Sequence, residues 1–564
     1  MKRILGLIVS AWLYQLAGPS WAMVWTVGTV DGGGQQSALY GQYSSIALDS
    51  SGNPHISYAT GVANISTGVG IDLGYASFNG VAWNKQVIDP ALPYWTSLAM
   101  DSSNRPRISY FASGFTPDHL KYAAYNGSTW SLTDLANVSR ANDAGTSLAL
   151  NSSDLPRIAY FGQAADLMYA SFNGSTWAAQ PVDSAGNTGW DPSLALDNSG
   201  NAHISYSGAG SVLKYASYNG SSWNLQTIDN YVSYSSLALD ASGHPNIIYS
   251  NFGTDEIKYA YNNGSGWAIN TIGFGYDASI ALDGSGHPFV SYTDLSGSLM
   301  FAHNNGTSWA TDTIDSASGA SARQSSIVVA ADGTPWISYY YLPTGGVGDE
   351  LRVARGTAPI QVNSGASYTS VQSSTIGTHP TQFAIVGGAA SADTAVSAGG
   401  YAPPVLQDTV YRVSDAIQLS GTGNDTFVLQ MSYDEAAILA AGISESSLYL
   451  GWYNPTLQQW MNSVYGNTGA NDPLSSAILG AYNSNQDFHL GWWGVDTVNN
   501  TVWAVLNHNS EFAILNPNTP FNLGPTSAVP EPGMVGMWLV GGLVVCGYAR
   551  KMKGSGGELS EANT

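Results

Sequence analysis

Between residues 45 and 355 the chain alternates apolar and polar positions in short runs, and nowhere in that stretch do apolar residues recur with the 3.6-residue period of an amphipathic helix. A group of such runs returns seven times. The first copy opens Ser45-Ile-Ala-Leu-Asp49-Ser-Ser-Gly52-Asn-Pro54-His55-Ile-Ser-Tyr58. The second half is clearest in the fourth copy, Leu213-Lys-Tyr215-Ala-Ser-Tyr-Asn219-Gly220-Ser-Ser-Trp223-Asn-Leu-Gln-Thr-Ile-Asp229. The turn residue that ends the first run, Asp49, recurs as Asp101, Asn151, Asp197, Asp240 and Asp283 and then gives way to Ala330, in steps of 52, 50, 46, 43, 43 and 47 residues.

Each copy predicts four short strands. An Asp-x-x-Gly-x-Pro turn joins the first two, with the Asp capping its own backbone and the Gly supplying positive φ. Asn-Gly pairs beginning at Asn79, Asn126, Asn173, Asn219, Asn263 and Asn305 join the last two, a strong hairpin signal. Four antiparallel strands per repeat of about 47 residues, arranged around an axis, make a β-propeller blade. The seventh copy ends at Arg355 without its Trp-containing fourth strand, and Trp25-Thr-Val-Gly-Thr-Val-Asp31 matches that missing strand. The expectation is a seven-bladed β-propeller over 23–356, closed by the N-terminal strand pairing with 351–355, which removes two open sheet edges.

Residues present in nearly every copy belong to the architecture. Asp49, Asp101, Asp197, Asp240 and Asp283 are expected in turns, and Trp83, Trp130, Trp177, Trp223, Trp267 and Trp309 between blades. The opening pattern resembles NHL-type and sialidase-like propellers in a generic way. The Asp of a sialidase Asp-box is absent: Phe78, Tyr125, Phe172 and Tyr218 stand in its place, so no sialidase activity is implied.

What varies between copies is the candidate site. Shortly before the turn Asp lie Tyr43, Trp95, Trp190, Tyr234 and Tyr276, where the third and seventh copies have Gly145 and Gln324. Such aromatics would ring one mouth of the central channel and suit the apolar faces of sugar rings, with Asp191 and Asp277 accepting hydroxyls. The competing reading is that they fill blade interfaces. At the second-strand position carrying His55, Arg107, Arg157, His203, Asn246, Phe289 and Trp336, a His or Arg could line a groove, and the favoured reading is a solvated or hydrogen-bonded strand face.

Beyond the repeats, 357–515 contains longer apolar runs such as Phe427-Val-Leu-Gln-Met431 and Glu511-Phe-Ala-Ile-Leu515, and predicts a β-sandwich-like domain. One short helix is expected between Ser432 and Gly442, marked by a capping box and a C-terminal glycine. Prolines at 517, 520, 525, 530 and 532 predict an extended stalk over 516–532.

Both termini carry addresses. Lys2 and Arg3 precede the apolar run Ile4 to Leu16, and Ser20-Trp21-Ala22 supplies small residues for cleavage, so 1–22 reads as a secretory signal peptide. At the other end Pro530-Glu531-Pro532 leads into an apolar segment, 533–549, expected as a transmembrane helix. Arg550, Lys551 and Lys553 then open a cytoplasmic tail over 550–564. This order resembles the PEP-CTERM sorting signal of Gram-negative bacteria. The resemblance implies an exosortase as partner, with Pro530, Glu531 and Pro532 as its recognition motif, anchoring in the inner membrane by the helix, and delivery to the cell surface or medium. The single Cys546 allows no disulfide within one chain.

The net charge of −22 would repel nucleic acid. No His-Glu-x-x-His, Gly-x-Ser-x-Gly or Cys nucleophile pattern is present, so neither cofactor nor metal is expected. Taken together the sequence predicts an all-β, exported, non-enzymatic binding or adhesion protein engaging exopolysaccharide or another surface glycan. A glycan hydrolase using acids in the mouth and a ligand-free structural matrix protein are the alternatives. A hydrolase would require two convergent carboxyl groups of perturbed ionisation.

Overall fold

The computed structural model describes residues 23–517, apart from several internal segments of which 363–382 is the longest. The signal peptide, the Pro-Glu-Pro motif and the C-terminal segments named above lie outside the described residues.

Each repeat folds into four consecutive antiparallel strands. In the first these are Gln42–Leu48, Pro54–Val62, Gly70–Phe78 and Trp83–Asp89, hydrogen-bonded in chain order. The turn between the first two forms as the composition requires, since Asp49 Oδ1 accepts from the N–H groups of Ser51 at 2.9 Å and Asn53 at 2.8 Å. Asp101, Asn151, Asp197, Asp240 and Asp283 do the same. The Asn-Gly connections are longer than two-residue hairpins. Tyr125 pairs with Trp130, so four residues lie between, and Asn126 Oδ1 caps the loop by accepting from Ser128 and Thr129 N–H at 2.8 Å each.

The strand Val24–Gly32 pairs antiparallel with Glu350–Thr357 and completes the sheet of the last repeat. Trp25 then occupies the position of the repeated tryptophans, edge-on to Phe301 at 4.7 Å. Its counterparts Trp130, Trp177, Trp223, Trp267 and Trp309 meet a tyrosine of the preceding repeat edge-on, with centroids 5.2–5.4 Å apart.

Two parts of the expected fold class are corrected. The repeats do not form seven separate sheets. The strand Trp267–Leu282 runs through 16 residues and serves as outer strand of the fifth repeat and inner strand of the sixth, fusing them into one seven-stranded sheet. The described ring therefore contains six hydrogen-bonded sheets. The cause is the link at Gly273 and Gly275. Gly275 has φ +152°, and a Cβ there would fall 1.9 Å from Thr293 O, so glycine lets the chain turn the corner without loop residues. The second correction concerns helix. Among the described residues none is long and apolar enough to cross a membrane, and the α-helix Glu435–Ala440 has six residues. The described fold thus contains no membrane helix, and the helix it has lies in the second domain, ending at Gly442 with φ +70°.

That second domain has two sheets. One is built around Ala416–Gly421, Glu511–Pro517 and Tyr449–Asn454, the other around Phe427–Ser432 and Thr501–Leu506. Phe427, Leu429 and Met431 from the second share one buried core with Leu450, Phe512 and Ile514 from the first.

Adjacent propeller repeats are joined by two recurring polar contacts. The Ser of each inner strand accepts the backbone N–H of the next inner strand: Ser45 from Leu98, Ser97 from Leu148, Ser147 from Leu194, Ser193 from Leu237, Ser236 from Ile280, Ser279 from Ile327, and Ser326 from Ile46, at 2.9–3.4 Å. Farther out, a second-strand tyrosine donates to an aspartate of the preceding repeat, beside a basic side chain. Examples are Tyr110 and Lys121 on Asp89, each at 2.5 Å, and Tyr339 and Arg352 on Asp315, at 2.6 and 2.9 Å. At the ring closure Asp31 takes this role, accepting from Tyr58 and Lys85 at 2.7 Å.

Asp31→Ala leaves the Tyr58 hydroxyl and Lys85 without their acceptor and is expected to cost about 1–3 kcal/mol. Trp25→Ala, which empties the closing inter-repeat slot, is expected to cost about 3 kcal/mol. Denaturant midpoints of the purified variants check both. Midpoints equal to wild type would mean that the closing strand contributes nothing to the stability of the ring.

Candidate functional site

The residue six positions before each turn is Tyr43, Trp95, Gly145, Asp191, Tyr234, Asp277 or Gln324. These seven, each with the two residues that follow it, line one cavity at the axis, enclosing about 820 Å³ that is partly open to solvent. The strand register slips there, between Tyr94 and Ser97, Trp190 and Ser193, and Tyr276 and Ser279 among others. At the slip Tyr43, Trp95, Asp191, Asp277 and Gln324 adopt φ of +55°, +53°, +47°, +55° and +51°. A bulge with a left-handed residue re-aims one side chain toward the axis, and non-glycine residues hold such φ values only where their surroundings enforce them.

The bulge decides which predicted residues belong to the site. Tyr43, Trp95, Asp191, Tyr234 and Asp277 line the cavity; Trp190 and Tyr276 do not. Trp190 lies one residue before the re-aimed position, packs on Phe161 at 4.4 Å and donates its indole N–H to Asn187 Oδ1 at 3.1 Å. Tyr276 pairs with Thr293 within its sheet. The expected ring of five aromatics is therefore three aromatics and two acids. Gly145 and Gln324 join them as lining residues that aromatic identity alone did not single out, although their constant distance from the turn does.

The aromatics are not confined to one side of the axis. Trp95 lies 4.9 Å from Tyr43 and 5.7 Å from Tyr234, between ring centroids, so the cluster reaches from the second repeat across the axis to the fifth. The indole N–H of Trp95 is buried and has no hydrogen-bond partner.

Oxygen chemistry occupies the rest of the lining. Asp277 Oδ2 accepts from Gln324 N–H at 3.1 Å, Gln324 Oε1 accepts from Tyr43 N–H at 2.9 Å, and Thr96 Oγ1 donates to Tyr43 O at 2.7 Å. Asp191 Oδ1 is buried and accepts no hydrogen bond. Gly145 makes room for it, since a Cβ there would approach Asp191 Cα to 3.1 Å and Pro192 Cδ to 3.2 Å. Burial raises the Asp191 carboxyl well above the usual range, and the nearby Asp277 charge adds to this. Burial raises Asp277 too, offset in part by the Gln324 N–H and the charge of Arg323. The cavity lining contains neither Lys nor Arg.

Hydroxyl pairs, one member of each in the lining, bridge neighbouring repeats: Ser57 with Thr96, Ser109 with Thr146, Ser205 with Ser235, Ser291 with Ser325 and Ser338 with Ser44, at 2.8–3.1 Å. At the two remaining junctions the equivalent residues are Ala159 with Pro192 and Ile248 with Ala278. Those two junctions are the ones whose preceding residue is Asp191 or Asp277. The second-strand face is separate from the cavity. There Arg107 pairs with Asp101 at 2.6 Å, and Asn246 Oδ1 accepts from Tyr259 at 2.5 Å.

No family model matches the chain, and no curated protein matches it. Solved structures with local likeness include the Aleuria aurantia lectin, described as a six-bladed β-propeller with a novel fucose recognition mode. It is 15% identical, with a TM-score of 0.37 over 50% of this chain and 97% of the lectin. The SapL1 lectin in complex with α-methyl fucoside is 14% identical, with a TM-score of 0.37 over 50% of this chain and 97% of that one. A protein of unknown function from Dyadobacter fermentans is 11% identical, with a TM-score of 0.39 over 60% of this chain and 100% of its own. These neighbours include fucose-binding propeller lectins, and likeness this distant transfers neither a blade count nor an activity.

A carboxyl whose folded pKa is raised contributes stability that is fully present below its unfolded value and is lost as pH rises through the folded value. In chelator-treated buffer Asp191→Asn is therefore expected to be more stable than wild type at pH 7, the difference shrinking as pH falls toward about 4, where the unfolded carboxyl titrates. Thermal midpoints across that range check this. A variant less stable than wild type at pH 7 would show that Asp191 is held as a satisfied carboxylate.

Proposed function

We propose that the chain is an exported, non-enzymatic protein that binds a neutral glycan, of the exopolysaccharide or surface-glycan class, in the axial cavity. The observation carrying this reading is the mixed lining of that cavity. Tyr43, Trp95 and Tyr234 form an apolar cluster across the axis with an unpaired indole N–H, interspersed with hydroxyl, amide and carboxyl groups, and no basic residue lines the cavity. A sugar ring presents the complement, an apolar C–H face and a rim of hydroxyls that both donate and accept. Export is supported by the signal-peptide features of 1–22, and surface delivery by the resemblance of Pro530-Glu531-Pro532 and its sequel to an exosortase-processed sorting signal.

A specific observation favours a second reading, glycan hydrolysis: Asp191 and Asp277 line one cavity, and burial raises the pKa of both carboxyl groups, as a general acid requires. Release of reducing ends from a glycan panel, abolished by Asp277→Asn, would establish it in place of binding alone.

Trp95→Ala and Tyr234→Ala are each expected to weaken glycan binding about tenfold, the equivalent of one lost aromatic contact of about 1.4 kcal/mol. Trp190→Phe, which keeps the packing on Phe161, should leave affinity unchanged. Titration calorimetry on hits from a glycan array, with circular dichroism to verify folding, tests all three. Absence of binding to any glycan, or equal loss in Trp190→Phe, would overturn the assignment of the site.

A further inference from the structure

The closing junction of the ring differs from the others in one charged side chain. Three residues after each repeated tryptophan, the outer strands carry Gln86, Thr133, Gln180, Gln226 and Asn270, and the closing strand carries Gly28; only the sixth repeat has an acid there, Asp312. Where this position is glutamine it can serve the next repeat, as Gln86 and Gln226 accept the indole N–H groups of Trp130 and Trp267 at 3.1 and 2.7 Å. Asp312 faces the closing strand and does something else. Its Oδ2 accepts the backbone N–H of Met23 at 3.2 Å, while the indole N–H of Trp25 is buried with no partner.

A lone amide N–H is a weak counterpart for this carboxyl. Burial raises Asp312 above the usual carboxylate range, opposed by the Met23 N–H and by the charge of His303 on the paired strand. His303 supplies little of that charge, because its own burial lowers its pKa and its Nδ1 has no hydrogen-bond partner. The atom that reaches Asp312 is the nitrogen of the residue that follows Ser20-Trp21-Ala22, the small-residue pattern at the end of the signal-peptide features.

We propose that export cuts the Ala22–Met23 bond and that the α-ammonium released at Met23 pairs with Asp312, locking the closing strand of the ring. The reaction is hydrolysis by a signal peptidase of the exporting cell. Water gives its oxygen to the new Ala22 carboxylate and both its protons to the Met23 nitrogen, so a neutral amide becomes a cation with three donors. A charge-assisted bond to a carboxylate is roughly twice as strong as its neutral equivalent. Position matters as well as charge, since one extra residue would carry the ammonium about 3.8 Å along the chain. Met23 is held from both ends: its side chain packs on the core of the last repeat, and a Cβ on Gly356 would come within 3.1 Å of its Sδ. The inference rests on reading 1–22 as a signal peptide and is independent of the glycan reading.

The test uses the full chain exported with its own leader. Mass spectrometry of its N-terminal peptide is expected to find Met23 as the first residue. A second chain carries Gly-Ser-Gly-Ser inserted between Ala22 and Met23, with its cut after Ala22 verified in the same way, so that Met23 keeps a neutral amide. Hydrogen exchange in the segment 23–32 is expected to be about tenfold faster in the inserted chain, because the strand opens more often. When both chains carry Asp312→Asn, which preserves an acceptor for the N–H but not the charge, the two rates should converge. Equal exchange in the native and inserted chains, or a difference undiminished by Asp312→Asn, would overturn the ion pair. A mature chain beginning at another residue would overturn the inference and leave export standing, whereas an exported chain that keeps residues 1–22 would overturn the signal-peptide reading with it.

Discussion

The ring depends on one repeated hydrogen bond, from the backbone N–H of each inner strand to the serine hydroxyl of the strand before it. An inner strand at the axis exposes an edge that no further strand can cover, and a buried N–H there without an acceptor would cost about 1–3 kcal/mol. Serine supplies the acceptor from the side, seven times around, and Ser326 to Ile46 returns the series to its start. Because the bond sets the offset between neighbouring inner strands, it also fixes where the residue two positions before each serine emerges. That residue is the one lining the cavity. The geometry of the mouth is thus a consequence of how the repeats are tied together, and the identities at those seven positions are free to serve a ligand.

The contacts that vary between repeats do so in a way that respects the same energetics. Removing one partner of a buried polar pair is expensive, whereas removing both is nearly neutral. Where the serine beside the inner strand is lost, as at Ala159 and Ile248, its partner is lost too, at Pro192 and Ala278. The outer contact follows suit. In the third and sixth repeats Tyr160 and Tyr292 lack the aspartate, replaced by Ala136 and Gly273, and also lack the cation, replaced by Met168 and Met300. In the first repeat Gly74 stands where the cation belongs, and Lys85 from the adjacent strand reaches Asp31 instead. No repeat with a described inter-repeat aspartate is left without its counter-charge.

This pairing logic explains what was legible in the sequence. The four-strand unit, the capping aspartates and the kinship of Trp25 through Asp31 with a missing outer strand all rest on residues whose physical role is the same in every copy, so repetition exposes them. Three features resisted. The fusion of the fifth and sixth repeats depends on the corner at Gly273 and Gly275, which changes hydrogen bonding without changing the apolar pattern. The one-residue error at Trp190 and Tyr276 arose because aromatic character was followed instead of the constant distance to the turn, and a bulge makes only the latter meaningful. In the second domain, strands far apart in sequence meet, as Ile417 does Phe512, and alternation alone carries no information about such partners.

Charge distribution gives the cavity its particular character. The chain carries 39 acidic against 17 basic residues, and the lysines Lys85, Lys121, Lys214 and Lys258, with Arg107 and Arg352, are engaged by inter-repeat and turn aspartates. A lysine moved into the axial cavity would compensate Asp191 and Asp277 only by stripping one of those junctions. It would also have to fit beside Trp95 and Tyr234, which already cross the axis. The fold instead leaves both acids buried with pKa values raised, and only Asp277 has partial help, from the Gln324 N–H and the charge of Arg323. The aromatic cluster of Tyr43, Trp95 and Tyr234 shares that lining. One cavity therefore combines an apolar surface with two buried carboxyl groups, and its lining contains neither Lys nor Arg.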